Sequence, residues 1–278
     1  MNLKKKLPPN RSYKQIKNQY LVEKSIAERL KKADRQERKR IFETMYDELF
    51  EQVPDHPRLT RRNSDQLTLK ANEEKFSLVN KYVDKSTVFL EFAPGDCRLS
   101  FKVAKHVKKI FGVDISDQRN PKDSVPENFK LIVYDGYNLN EIESNSIDVV
   151  FSDQLIEHFH PEDTKLHFEL VHRILKNGGK YIFRTPHPHS GPHDISKYFC
   201  HEAKGFHLKE WTYTEINNML QDIGYKGFRT FWHGGGFTFR MPYIYFRICE
   251  KFLELFPKRY IKKVAKFLIP SLYGVAVK

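Results

Sequence analysis

An apolar run that ends in an acid and then turns sharply, Val88-Phe89-Leu90-Glu91-Phe92-Ala93-Pro94-Gly95-Asp96-Cys97-Arg98-Leu99-Ser100, is the segment of this 278-residue chain best suited to chemistry. Small residues in the turn let backbone N–H groups approach a ligand, and a carboxylate at the strand end can hold a positively charged amino group directly or through water. A second run ends at Phe111-Gly112-Val113-Asp114, where an acid can accept both hydroxyls of a ribose. A third ends at Tyr134-Asp135-Gly136, where an acid can receive the exocyclic amine of adenine. Three strand tips thereby offer acceptors to the three donor groups of one ligand.

A separate loop, Arg184-Thr185-Pro186-His187-Pro188-His189-Ser190-Gly191-Pro192-His193-Asp194, concentrates imidazoles. Histidine titrates near neutral pH and can take the proton of an oxygen nucleophile. His193, beside Asp194, is the first candidate base, followed by His187 and His189. No cysteine or carboxylate at ligand spacing supports metal binding by these three, so no metal is expected. Each reads equally well as a loop histidine bonded to backbone. His158 and His160, two apart, would not share a helix face.

The elements that must position these groups follow from periodicity. Strand-like runs at Thr87–Phe92, Lys109–Val113, Phe129–Tyr134, Ile147–Ser152, Lys180–Arg184, Gly227–Trp232 and Leu272–Val277 lack strict alternation, as expected for strands covered on both faces. Between the fourth and fifth, Thr164, Phe168, Val171 and Leu175 form a helical stripe that Asn177-Gly178-Gly179 should end, which makes a βαβ unit. Thr212-Tyr213-Thr214-Glu215 has capping-box spacing before another helix that Gly224 stops. Gly205-Phe206-His207-Leu208-Lys209-Glu210-Trp211, just ahead of it, could wall an acceptor pocket or simply pack the helix. Two or three helices are expected between Tyr13 and Phe50, and Pro54, Pro57 and Arg61-Arg62-Asn63-Ser64 break the pattern. From Pro242 to Ile269 two amphipathic helices divided by Pro257 are expected, with Ile244, Ile248, Phe252 and Leu255 on one stripe and Ile261, Val264 and Leu268 on the other. Gly234-Gly235-Gly236 suits a hinge or close turn, since no helix start follows at phosphate-loop spacing.

Taken together, these motifs resemble the class I S-adenosylmethionine-dependent methyltransferases over about Val88 to Tyr225. Their first motif is similar to strand, E/D-x-G-x-G, here with Glu91 and Gly95. Asp114 stands where the ribose-binding acid is expected and Asp135-Gly136 where the adenine-binding pair is. Ile147 to Ser152 with Leu155-Ile156-Glu157-His158 resembles the fourth strand and the segment after it, and Leu175-Lys176-Asn177-Gly178-Gly179 the turn before the fifth. The resemblance implies S-adenosylmethionine as cofactor, held by Glu91, Ala93, Gly95, Asp114, Ile115, Asp135, Gly136 and Ser152. Ala93 departs from the pattern where its first glycine usually sits, and Cys97 where a third often does. A Cβ at Ala93 narrows the backbone approach and disfavours positive φ.

Charge and composition bound the rest. The net charge is +13, but residues 1–40 carry +10, residues 240–270 carry +6 and Lys278 adds one more, which leaves the body from 41 to 239 at about −4. The basic appendages suit an anionic acceptor, anionic lipid, nucleic acid or mere solubility. No apolar run is long enough to span a membrane, and the start lacks the apolar stretch of a secretory signal, so a cytoplasmic protein is expected, with peripheral membrane contact through the basic helices left open. Three widely spaced cysteines argue against a disulfide framework. The expected architecture is a Rossmann-like α/β fold with a doubly wound, mostly parallel seven-stranded sheet. A basic helical extension over 1–62 precedes a methyltransferase domain over 63–278, with a helical cap at about 240–270. The expected reaction is methyl transfer to a small-molecule or glycan- or lipid-linked acceptor at oxygen. RNA methylation is the alternative, not favoured because no RNA-binding module is recognisable and Ser152-Asp153-Gln154-Leu155 lacks the signature of amino-group methylation. A non-catalytic scaffold is the third reading.

Overall fold

The computed structural model describes the backbone of residues 1, 3–61 and 65–278, and their side chains except at 60–61 and 65–68. The expected boundary at 62/63 lies outside the described residues. Two long helices open the chain. α1 (Tyr13–Lys32) starts at a capping box in which Ser12 and Gln15 satisfy each other's backbone N–H, and α2 (Arg35–Gln52) starts at Asp34, whose carboxylate accepts from Glu37 N. Val22, Ile26 and Leu30 of α1 meet Met45 and Leu49 of α2 in a core of their own that also takes in Phe206 and Leu208. The short α3 (Pro57–Arg61) begins at proline, and α4 (Asp65–Val79) leads into the sheet.

The sheet and its helices then alternate in sequence. They are β1 (Val88–Phe92), α5 (Arg98–Ala104), β2 (Lys109–Asp114), β3 (Phe129–Val133), β4 (Ile147–Asp153), α6 (Pro161–Ile174), β5 (Leu175–Thr185), α7 (Tyr213–Ile223), β6 (Gly227–Gly234), β7 (Phe237–Met241), α8 (Tyr243–Glu254), α9 (Lys258–Leu268) and β8 (Leu272–Val277). Their order is β3-β2-β1-β4-β5-β8-β6-β7, with β1 to β5 parallel and β8, β6 and β7 joined antiparallel. The fold is the expected Rossmann-like one, with eight strands in place of seven. The additional β7 pairs with β6 through a tight turn at Gly235 and Gly236, whose φ values of 59° and 83° suit a two-residue hairpin. Its residues are exposed at the sheet edge, so no burial pattern marks it as a strand.

Two expected details shift. α6 ends at Ile174, and the Asn177-Gly178-Gly179 turn falls within β5 rather than closing the helix. In α8 the buried side is Phe246, Cys249, Glu250 and Leu253, while the stripe of Ile244, Ile248 and Phe252 faces outward. The helix has two apolar faces, and spacing alone does not say which one packs.

Strand order reverses at β1, whose neighbours β2 and β4 lead the chain away in opposite directions, and a crevice opens beyond the carboxyl ends of such strands. Phe92 is paired with Val113 on one side and Ser152 on the other. One residue further on, Ala93, Asp114 and Asp153 therefore stand side by side at the mouth of the crevice.

Candidate active site

A cavity of about 500 Å³ occupies that crevice, the size of a small-ligand site. Ala93, Gly95, Asp114, Ile115 and Gly136 line it, as the sequence predicts for a cofactor site. Asp114 is buried and accepts N–H bonds from Gly95 (3.1 Å) and Ile115 (2.8 Å). Burial raises its pKa against those two bonds. The turn itself is strained at its non-glycine members, since Ala93 and Cys97 adopt φ of 52° and 59°, a conformation that costs about 1–2 kcal/mol for a residue with a Cβ. Ala93 N donates to Val113 O at 2.8 Å, which anchors the turn. At Gly95, also at positive φ, an added Cβ would meet nothing within 4 Å, so the backbone there is open to close approach by a ligand.

The other predicted cofactor residues stand differently. Glu91 lies one pleat below the mouth on the face shared by Asp114 and Asp153, fully covered, with Ser100 donating to it at 2.5 Å. Burial pushes its pKa up to about 7, opposed by Lys75 and the Ser100 bond. Asp135 turns towards α2, where Lys39 donates to it at 2.8 Å, and it accepts from Tyr137 N and Asn138 N. Lys39 and those N–H groups outweigh burial and hold its carboxyl below the usual range. Ser152 does not reach the cavity. It shares a face with Phe92 and Val113 and bonds the Tyr181 hydroxyl at 2.7 Å, because successive strand residues point to opposite sides. Its neighbour Asp153 takes the place at the mouth, paired with Arg184 at 2.7 Å and Lys75 at 3.4 Å.

Walls that no motif announced come from the N-terminal helices. Phe42, Met45 and Tyr46 of α2 and Arg58 of α3 border the cavity. α2 is tied down by Arg38, which is nearly inaccessible and meets Asp163 at the start of α6 at 2.7 Å, while Tyr137 donates to the same carboxylate at 2.9 Å.

A second cavity, also of about 500 Å³, adjoins the first through Tyr46, Arg58 and His158, which line both. Arg11, Glu23, His193, Lys197 and His207 contribute to its walls. Of the three loop histidines proposed as bases, His193 alone lines either cavity. Burial depresses its pKa to about 4, and its Nε2 shares a hydrogen bond of 3.0 Å with Ser190 Oγ. His187 is buried and donates to Glu250 of α8 at 2.9 Å, and that carboxylate also takes Tyr213 N and Thr214 N at the start of α7. This histidine ties α8 to α7 and lines neither cavity. His189 is buried with neither ring nitrogen hydrogen-bonded among the described residues, and burial takes its pKa to about 4.

Where the cavities join, Glu157, His158 and His207 gather instead. Glu157 is fully covered; Thr185 donates to its Oε2 at 2.8 Å, and burial pushes its pKa up to about 7. His158 Nδ1–H donates to the Phe206 carbonyl at 3.0 Å, and His207 donates to Glu210 at 2.9 Å. Burial works against a charged His207, but the Glu210 bond and the nearby Glu157 prevail and raise its pKa. The signal in the sequence was Glu157-His158 directly after β4, but nothing there tied it to His207, 49 positions on.

Residues 90–183, from β1 to β5, match the family model described as a methyltransferase domain. Among solved structures, a SAM-dependent methyltransferase from Archaeoglobus fulgidus is 16% identical with a TM-score of 0.53, over 78% of this chain and 96% of that one. The YcgJ protein from Bacillus subtilis is 13% identical with a TM-score of 0.51, over 74% of this chain and 98% of that one. Haemonchus contortus phosphoethanolamine N-methyltransferase 1, in complex with phosphoethanolamine and S-adenosylhomocysteine, is 13% identical with a TM-score of 0.56, over 88% of this chain and 50% of that one. At these identities the likeness is one of fold. No curated protein matches the chain by sequence.

Proposed function

We propose that the chain is a class I S-adenosylmethionine-dependent methyltransferase, a reading that the match of residues 90–183 to the methyltransferase-domain model supports, and that it methylates a hydroxyl of an anionic glycan- or lipid-linked acceptor held in the second cavity. S-adenosylmethionine, when bound, supplies an electrophilic methyl group on sulfur. The open backbone at Gly95 and the acceptor carboxylate of Asp114 fit its adenosyl part. What remains for the protein is to aim an oxygen at that methyl group, exclude water and receive a proton. Tyr46, Arg58 and His158 form the shared wall across which transfer would run. Glu157, His158 and His207 supply the basic atoms beside it.

The observation that carries the anionic acceptor is a gathering of ammonium groups from distant parts of the chain beside the second cavity. Lys262 has its pKa lowered first by burial and then by Lys266, Lys5 and Lys197, which together outweigh the opposing Glu210, and Lys197 lines the second cavity. Cations brought from three parts of the chain into one another's field favour a phosphate or carboxylate at the cavity. The lipid-linked form is supported by the neighbouring surface. Ile248, Phe252 and Leu255 near α8, and Tyr260 and Phe267 of α9, are exposed large apolar groups interspersed with Lys251, Lys258, Arg259 and Lys263. An amphipathic, basic face of this kind suits the interface of an anionic bilayer. Among the described residues no helix is long and apolar enough to cross a membrane.

The test supplies methyl-labelled S-adenosylmethionine with phosphorylated glycan and glycolipid fractions, and measures binding to phosphatidylglycerol and phosphatidylcholine vesicles. Label is expected in anionic products as alkali-stable methyl ether, with salt-sensitive binding to phosphatidylglycerol vesicles only. Label in RNA or in amines, or equal indifference to both vesicles, would overturn the proposal.

A further inference from the structure

One carboxylate and two imidazoles at the junction, those of Glu157, His158 and His207, present ligand atoms within 4.8 Å of one another. Three further observations distinguish the group from an ordinary hydrogen-bonded cluster. Glu157 Oε1 is buried and has no hydrogen-bond partner among the described residues, although Oε2 of the same carboxylate is bonded to Thr185. A buried oxygen left in this state calls for a cation or a donor. His158 must carry its proton on Nδ1 to donate to the Phe206 carbonyl, which fixes the tautomer with its lone pair on Nε2. His207 is anchored in the same way, its Nδ1 bonded to Glu210, and Glu210 is itself fixed by His193 N at 2.8 Å. Imidazoles held from behind by a carbonyl and a carboxylate, with Nε2 left free to bind, are oriented as metal ligands are.

We propose that Glu157 Oε1, His158 Nε2 and His207 Nε2 bind a divalent metal ion, with its remaining coordination positions open to the junction of the two cavities. Two imidazoles and one carboxylate suit zinc, manganese or cobalt better than calcium, which prefers a shell of oxygens. The three side chains close on the ion by rotamer adjustment, since ligand atoms around a bound ion are nearer than 4.8 Å. His158 lines both cavities and His207 the second, so an oxygen of the acceptor can complete the coordination shell. That last step rests on the proposed function; the ion site does not.

The experiment uses the full chain, stripped with a chelator, dialysed, and titrated with Zn²⁺, Mn²⁺ and Co²⁺ alone. One ion per chain is expected, with visible absorption from Co²⁺ of low coordination number. Glu157→Gln, His158→Gln and His207→Gln should each weaken binding at least about tenfold, with unchanged far-ultraviolet circular dichroism. His189→Gln, a buried histidine outside the cluster, should leave the affinity as it is and show that general loosening is not the cause. Absence of saturable binding by the folded wild-type chain up to about 1 mM ion, or full affinity in all three cluster variants, would overturn the site. S-adenosylmethionine binding and methyl transfer, measured on the same metal-free sample, report separately on the proposed function.

Discussion

Glu91 makes the sharpest test of the electrostatics of the cofactor side, because its burial gives a stability effect with a defined pH window. The carboxyl is covered, contacts Ser100, and is displaced by burial from an ordinary pKa of 4.5 to about 7. A folded-state pKa above the unfolded one means that folding favours the protonated form. The associated stability is fully present below about pH 4.5 and is lost as pH rises through about 7. At about 1.4 kcal/mol for each tenfold change in proton affinity, the loss is about 3 kcal/mol. Glu91→Gln imitates the protonated carboxyl, keeps an oxygen for the Ser100 hydroxyl and cannot ionise. The cofactor-free variant should match wild type near pH 4.5 and exceed it by about 3 kcal/mol at pH 8, or roughly 6–10 °C in melting temperature for a chain of this size. Urea unfolding of both proteins at intervals across that range measures the difference directly. A difference that stays constant with pH, or a variant less stable than wild type at pH 8, would refute the reasoning.

Two other outcomes follow from the same geometry. Asp114→Asn keeps an acceptor for Gly95 N–H but loses the charge, so affinity for S-adenosylmethionine should fall about 10- to 100-fold by calorimetry, the worth of a charge-assisted hydrogen bond. Arg38→Met removes the buried cation nearest Asp163 and leaves it the more exposed Arg35 at 3.7 Å and the Tyr137 hydroxyl, which should destabilise the chain by about 3 kcal/mol in urea unfolding.

The parallel half of the sheet was legible because β1, β2 and β4 are continuous apolar runs with acids at their ends, and those acids mark the crevice. Parity within a strand was not legible to one residue: Ser152 was assigned to the site, but the pairing of Phe92 with Ser152 puts Asp153 there. Edge structure left little trace, since the exposed Phe237 and Phe239 of β7 bury no alternating face. The histidine loop was placed correctly after β5, but the partner that makes His187 structural is Glu250, 63 positions away, and no local pattern encodes that pairing. His207 lies in a segment the sequence offers as a pocket wall, but its meeting with Glu157 and His158 is not encoded locally for the same reason. Its role depends on β4, the loop before α7 and Glu210 meeting in space.

The distribution of function along the chain follows from these distances. Residues 90–183 match the methyltransferase-domain model and build the strand tips that line the first cavity. The second cavity takes Arg11 from the segment before α1, Glu23, Tyr46 and Arg58 from α1, α2 and α3, and His193, Lys197 and His207 from the stretch between β5 and α7. The two sets are held together by buried contacts: Phe206 N donates to Glu23 at 3.3 Å, Arg38 meets Asp163, and Phe206 and Leu208 sit in the core between α1 and α2. On the proposed function, acceptor choice would reside in segments without a motif whose placement depends on α1 and α2 docking correctly. Loosening that docking, as by Arg38→Met, should raise the KM for the acceptor more than it weakens cofactor binding. Equal loss of both would mean that α2 serves mainly as a lid over the cofactor.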